Sequence, residues 1–165
     1  MDDILKPDWI KRRKSQAALA DAKTEAVKQR EKAALLEIQA GSPEFWRQLL
    51  VESAANTNSL PDVGARGRTS TFGNRRGGEQ RCRIEVVQSG RILGMTYTDL
   101  FYTPGDCMIR SLTLEGESNN FTFCVLPKNK GIAVLSDDGF TPLGAKELAE
   151  LLVEQMVDRV REMAP

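Results

Sequence analysis

The chain has 165 residues, of which 41% are apolar and 28% are charged. This composition is typical of one soluble globular domain with an appendage, and it excludes global disorder. The 23 basic and 23 acidic side chains cancel, and there is no histidine. A uniform field that attracts nucleic acid or anionic membranes is therefore excluded, as are histidine-dependent nucleophilic and zinc-protease sites.

The first residues contain no continuous apolar segment, and no apolar run reaches the roughly 18–20 residues that span a bilayer. Cys82, Cys107 and Cys124 are isolated from one another, without the paired spacing of a zinc site. We therefore expect a cytoplasmic protein with reduced core cysteines, no metal, no cofactor and no membrane partner. Cys82, between two arginines, is the one candidate for a reactive thiol, but strand alternation would point its neighbours to the opposite face.

Alanine-rich sequence from Pro7 to Gln39 predicts a long first helix. Gly41 is a helix stop signal, and Ser42-Pro43 is a start signal, so a second helix is predicted from Pro43 to about Ala55. In the first helix a narrow stripe follows partly heptad spacing. It consists of Ala20, Val27, Ala34 and Ile38. The stripe predicts self-association, with packing on the chain's own domain or a mostly solvated helix as alternatives.

Residues 56–80 show neither helical nor strand periodicity and are rich in Gly, Asn, Ser and Thr, so they predict a long loop or linker. From Arg81 the period becomes two, and short turns separate five predicted strands. These strands cover 81–86, 91–103, 107–115, 121–126 and 131–135. Joined by short turns, they form an antiparallel meander. In the second strand, Tyr97, Asp99 and Phe101 share one side and Tyr102 lies on the other.

A final helix is predicted from Thr141 as N-cap to about Met163. Its broad apolar face is typical of a helix packed on a sheet. The predicted fold is therefore α+β: a helical extension (1–55), a loop (56–80), and an antiparallel sheet with a C-terminal helix on one face (81–165). The second face of such a sheet can remain exposed to water.

Arginine is concentrated between residues 64 and 91, where few acidic residues accompany it. The candidates for contact with an anion or nucleic acid are Arg66, Arg68, Arg75, Arg76, Arg81 and Arg83. The guanidinium fork suits phosphate or carboxylate, but the balanced total charge argues against a dedicated nucleic-acid binder.

No spacing selects a catalytic pair, so the sequence favours a non-enzymatic protein-protein interaction or assembly module, as a homodimer or with another protein. Two alternatives remain open. One is binding of nucleic acid or an anionic ligand through the arginine-rich segment 64–91. The other is a carrier of small apolar ligands, with a cavity between the sheet and the final helix.

Overall fold

A computed structural model describes residues 7–73, 78–88, 94–137 and 139–163. The chain divides into two compact units, residues 1–36 and 37–165. The described part of the first unit is helical from Asp8 onward, and only Ile10 and Ala34 in it are half-buried, the remainder being exposed. The second unit contains the whole β-sheet and the hydrophobic core.

Helix α1 extends without interruption from Asp8 to Asn58. The prediction of two separate helices is therefore wrong, because tertiary packing overrides the local stop signal. Ser42 is fully buried, and its hydroxyl shares a hydrogen bond of 2.7 Å with the hydroxyl of Tyr102. Gly41 faces Ile132, whose Cδ1 would lie 3.3 Å from an added Cβ. The residues that resemble a helix break therefore lie where α1 packs against the sheet.

The sheet contains six antiparallel strands in the order β1 to β6. Their bounds are β1 Ala65–Phe72, β2 Gln80–Gln88, β3 Met95–Tyr102, β4 Met108–Thr113, β5 Ser118–Val125 and β6 Ile132–Ser136. The order along the sheet equals the order along the chain, so the meander is confirmed. Five strands were expected, and the sixth is β1, which lies inside the segment 56–80 expected to be a loop.

Strand β1 is stabilised by its neighbours rather than by an apolar pattern of its own. It pairs with β2 along all eight residues, and the short 3₁₀ helix Leu60–Val63 precedes it. The hydroxyls of Thr57 and Thr69 lie 3.2 Å apart. An added Cβ on Gly67 would lie 2.6 Å from the carbonyl oxygen of Glu85 and from Leu60 Cδ1. The glycine therefore permits a close approach of the strand to β2 and to the 3₁₀ helix.

Helix α2 spans Ala145–Glu162, and Gly144 is its N-cap. It begins later than expected because Leu143 pairs with Val134 of β6, which keeps the segment before the helix extended. On its apolar face Leu148, Leu152, Met156 and Val160 are buried, whereas Met163 at the end of this face is 43% exposed.

The core lies between one face of the sheet and two helical segments, α2 and the second-unit part of α1. Phe45 packs edge-on against Phe123 with ring centroids 5.3 Å apart, and Trp46 lies at the same distance from Tyr102. Across the described ranges, neither helix has a stretch long and apolar enough to cross a membrane.

Candidate functional site

The two faces of the sheet have different environments. Residues directly opposite one another on paired antiparallel strands share a face. Cys82, Ile84 and Val86 of β2 are fully buried on the helix-covered face. The alternate residues of β2, such as Arg81 and Arg83, point to the other side, which we call the open face. The open face is where the structure gathers arginine and aromatic side chains.

One row of opposite residues crosses four strands of the open face. The strand register aligns Phe72 with Arg81, Arg81 with Phe101, and Phe101 with Arg110. The guanidinium carbon of Arg81 lies 4.8 Å from the Phe72 ring centroid and 5.8 Å from that of Phe101, and Arg110 lies 5.5 Å from Phe101. These are cation–π distances, so the row is an alternating arrangement of rings and cations.

The neighbouring row is organised by Asp99, which is only 4% exposed. Its carboxylate accepts hydrogen bonds from Arg83 Nε at 2.7 Å, Arg83 Nη2 at 2.9 Å and Arg81 Nη2 at 2.8 Å. Burial by itself would raise the pKa of Asp99, but the hydrogen bonds from Arg83 and Arg81 outweigh it and the pKa is lowered. The hydrogen bond to Asp99 in turn raises the pKa of Arg83. Two cations therefore share one carboxylate.

Besides its contact with Asp99, Arg83 stacks on Tyr97, with its guanidinium carbon 3.9 Å from the ring centroid. The remaining charged residues of this surface are more exposed. Arg68 pairs with Glu85 at 2.9 Å, and its side chain is 73% exposed. Arg110 pairs with Glu79 at 3.0 Å and is 58% exposed. Such exposed pairs contribute little to stability, and their cations remain available to a partner.

Apolar side chains surround the arginines on the open face. Phe72, Val87, Met95, Met108 and Leu112 are each between 36% and 46% exposed. None of the open-face positions on the described strands is lysine. Enrichment in aromatic residues, Met and Arg with depletion of Lys is the composition of protein-protein interface cores.

Of the predicted anion-contact residues, the structure brings four to the open face: Arg66, Arg68, Arg81 and Arg83. Arg75 and Arg76 lie outside the described residues. In the predicted self-association stripe, Val27 is 51% exposed and Ala20 is exposed. Ala34 is half-buried, and Ile38 is packed in the core of the second unit at 8% exposure.

Sequence reasoning missed Arg110 and the role of Phe101. It placed Tyr97, Asp99 and Phe101 on one side of a strand, which is confirmed by the register of β2 and β3. The available signal for Arg110 was the alternation of residues in β4. Ile109 and Ser111, on either side of Arg110, are buried, so Arg110 belongs to the open face. Because the segment that contains β1 was expected to be a loop, Phe72 could not be placed in this row from the sequence.

A cleft of about 500 Å³ lies between the helix-covered face and α2. Its lining is mostly polar and includes Thr98, Ser111, Asn119, Asp137, Gln155 and Arg159. Arg159 is already paired with Glu117 at 3.1 Å and with Glu115 at 3.6 Å. This lining gives an apolar ligand little complementary surface.

Cys82 does not have the properties of a reactive thiol. Burial, followed by the negative charge of Asp99, raises the pKa of Cys82 to about 12, so its thiolate is not formed near neutral pH. Cys107 is exposed and Cys124 is half-buried, so the expectation of three core cysteines is wrong for Cys107. Within the described ranges, no three His, Cys, Asp or Glu side chains are grouped as metal ligands.

Comparison with known proteins gave no match among family models, curated proteins or solved structures.

Proposed function

We propose that this chain is a non-enzymatic protein-protein interaction module and that the open face of its sheet is the binding surface. The observation that carries the proposal is the combination of five exposed apolar side chains with stacked arginines on one sheet face. Such a combination contributes both apolar burial and directional contacts to a complex.

The size of the open face supports the proposal. Five spacings between six strands, at about 4.8 Å each, give a width of roughly 24 Å. Strands of five to nine residues, at about 3.4 Å per residue, have lengths of roughly 17–31 Å. The resulting area of roughly 400–750 Å² approaches the ~800 Å² per partner that a standard interface buries. A partner that also contacts the sheet edge would reach that value.

The proposal is tested by removing apolar contact area without disturbing the core. Met95 is 46% exposed and Leu112 is 40% exposed, so Met95→Ser/Leu112→Ser should fold normally. Val51→Ser is a matched control, because Val51 is 55% exposed on α1 and is not part of the sheet. A protein that copurifies with the wild-type chain and with the control should be lost with the double variant.

Direct titration of that purified partner should then show at least tenfold weaker binding to the double variant, as for the loss of apolar contacts at an interface centre. Equal binding to all three chains would contradict the assignment of the surface. If the partner is a second copy of the chain, the same comparison is made by sedimentation of each variant.

Self-association through the first helix is a separate part of the proposal. Trp9, Leu19 and Val27 are 60%, 59% and 51% exposed, which is unfavourable for side chains of this size in water. Replacing Val27 with Glu should lower the association constant measured by light scattering, whereas Lys28→Glu, a neighbouring change outside the stripe, should change it less. An identical concentration dependence for the two variants would exclude the stripe.

Nucleic-acid binding is the second candidate, and the five arginines of the open face favour it. Among the described residues of this face, Arg66, Arg68, Arg81, Arg83 and Arg110 accompany only Glu79, Glu85 and Asp99, so this surface is locally basic despite the neutral chain. Phosphate contacts would make the affinity for single-stranded DNA or RNA fall steeply with salt concentration. A flat salt dependence would remove this candidate.

A further inference from the structure

The two edges of the sheet are treated differently by the fold. At one edge, β6 exchanges two backbone hydrogen bonds with Leu143: the N–H of each of Val134 and Leu143 donates to the carbonyl of the other, at 2.9 Å and 2.8 Å. At the other edge, β1 pairs with β2 only. Across the described residues, no backbone hydrogen bond joins the outer side of β1 to another segment. An unpaired strand edge of this kind is a template for an additional strand.

Strand β1 is also long and fixed in position. It has eight residues and no proline, so no residue interrupts its outer row of donors and acceptors. Full-length pairing with β2 fixes one side of its backbone. The hydrogen bond between Thr57 and Thr69, and the close contact of Gly67 with Leu60, fix its helix-covered face. An incoming strand would therefore bind a preformed edge, which lowers the entropic cost of association.

The charges on β1 determine which kind of strand can pair with its outer edge. Arg66 and Arg68 both lie on the open face, and both are exposed. In the described part of the chain, Arg66 has no ion pair. Arg68 pairs there only with Glu85 of β2, which lies on the side of Arg68 away from the free edge. Like charges opposite one another destabilise a strand pair, and opposite charges stabilise it. A second copy of β1 would bring four arginines close together, whereas an acidic strand would neutralise them.

We propose that the outer edge of β1 binds an extended acidic segment of a partner protein as a seventh strand. Its acidic residues, at alternate positions, face Arg66 and Arg68, and its backbone completes the hydrogen bonds of the edge. This inference rests on the proposed interaction function and specifies the partner and its mode of binding. The added strand also extends the open face, which brings its area closer to that of a standard interface.

A synthetic peptide can test the proposal on the full chain. The probe is an eight-residue, end-capped peptide in which glutamate alternates with threonine, so that its charges share one face in either chain direction. Titration followed by ¹⁵N NMR should shift the amides of Ala65–Phe72 and leave those of β6 unchanged. A peptide with lysine in place of glutamate should bind at least tenfold more weakly. Equal binding of the two peptides would overturn the charge argument.

Backbone methylation separates strand addition from simple attraction between charges. In an extended peptide, the N–H groups of alternate residues point to the same side. One peptide is therefore methylated on every glutamate nitrogen and another on every threonine nitrogen. A third peptide is methylated on every residue nitrogen, so that it has no residue N–H left for β1 in either chain direction. Strand addition requires that this third form loses binding, and loss by only one of the other two forms identifies the chain direction. If all three forms bind as well as the parent peptide, the edge is not used.

Charge reversal on the protein supplies the matched control. Arg66→Glu/Arg68→Glu should weaken binding of the glutamate peptide by roughly tenfold, as for the loss of two cross-strand charge pairs, and should strengthen binding of the lysine peptide. Arg110→Glu changes a similarly exposed arginine on the same face, away from the edge, and should have little effect. If the Arg110 variant weakens binding as strongly, the peptide is bound by the face and not by β1.

The experiments distinguish failure of the edge proposal from failure of the proposed interaction function. A protein partner lost with Met95→Ser/Leu112→Ser, together with no peptide binding, would overturn the edge proposal and leave the open-face function in place. Peptide binding at β1 together with unchanged partner binding by the face variant would support the edge and contradict the open face.

Discussion

Replacing Asp99 with Asn tests the physical basis of the open face. Asp99 is the buried carboxylate on which Arg81 and Arg83 converge, through three hydrogen bonds of 2.7–2.9 Å. Asparagine has nearly the same shape, but it carries no charge and can accept hydrogen bonds at one oxygen only. The change leaves two guanidinium groups without a counter-charge, and we expect it to destabilise the fold.

The magnitude follows from the burial of the three side chains. The side chain of Asp99 is 6% exposed, and the side chains of Arg81 and Arg83 are 20% and 26% exposed. A fully buried pair broken on one side costs about 3–5 kcal/mol, and a surface pair about 0.2–1 kcal/mol. With the carboxylate buried and the cations partly solvated, we expect a loss of about 2–3 kcal/mol at pH 7. Glu85→Gln is the control, since its partner Arg68 is 73% exposed and we expect about 0.5 kcal/mol or less.

The effect of Asp99→Asn should depend on pH in a defined direction. The pKa of Asp99 is lowered in the folded chain relative to the ordinary value of 3.8. A lowered folded-state pKa means that the carboxylate contributes its full stability above the unfolded pKa. The contribution is lost as the pH falls from about 4 through the lower folded-state pKa. The difference in unfolding free energy between the wild type and Asp99→Asn should therefore shrink across this window.

Urea unfolding at pH 7, 5, 4 and 2.5 measures that difference directly, because both chains share every other titrating group. NMR titration of the Asp99 carboxyl gives the folded-state pKa independently. A difference below about 0.5 kcal/mol at pH 7, or one that stays constant down to pH 2.5, would refute the account of Asp99 as the shared counter-charge of two arginines.

Two further substitutions and one labelling experiment test the packing. Tyr102→Phe removes one partner of the buried 2.7 Å hydrogen bond with Ser42, and urea unfolding should show a loss of about 1–2 kcal/mol. Gly67→Ala places a methyl group 2.6 Å from a carbonyl oxygen of β2, and the same assay should show a loss of about 1–3 kcal/mol. In thiol labelling at pH 8, Cys107 should react rapidly and Cys82 only on unfolding, because Cys82 is buried with a pKa of about 12.

Each of these changes has its own control. Ser42→Ala should destabilise as much as Tyr102→Phe, and a larger loss for only one of them would indicate a further partner. In Gly73→Ala, no atom of the described residues lies within 4 Å of the added Cβ, so a cost equal to that of Gly67→Ala would contradict the close approach at β1. Labelling of Cys82 at the same rate as Cys107 would mean that the sheet opens locally near β2.

Strands β2 to β6 and helix α2 could be predicted because their burial is one-sided. In β2, Cys82, Ile84 and Val86 are fully buried, and the residues between them are polar and partly exposed. This alternation of apolar and polar residues is visible in the sequence. Helix α2 has the corresponding helical pattern, since one broad apolar stripe packs on the sheet and an acidic face remains in water. Where burial follows the periodicity of a strand or a helix, the pattern of residue types is sufficient to predict that element.

Strand β1 and the unbroken helix α1 could not be predicted, because long-range contacts decide them. On its helix-covered side β1 carries Ala65, Gly67, Thr69 and Thr71, none of which is a large apolar residue. Its conformation comes from pairing with β2, a contact that the sequence does not show. Likewise, Ser42 is a good N-cap in isolation, but in the folded chain its hydroxyl bonds Tyr102, 60 residues away.

The candidate site lies between these two cases. The arginines could be seen in the sequence, and the common side of Tyr97, Asp99 and Phe101 followed from alternation. The arrangement that gives these residues their properties could not be seen, because it depends on which residues lie opposite one another on four strands. A shift of one residue in the register between β2 and β3 would place Arg81 opposite Leu100 or Tyr102 instead of Phe101.

The stability of the fold and the preorganisation of the proposed binding surface depend on the same carboxylate. Arginine loses about 2 kcal/mol of rotamer freedom when it is fixed. On the open face, Asp99 and the flanking rings already hold Arg81 and Arg83 before any partner binds. A partner therefore meets immobilised side chains and is spared much of that entropic cost. Asp99→Asn should accordingly weaken partner binding even under conditions in which the variant remains folded, whereas Glu85→Gln should leave it nearly unchanged.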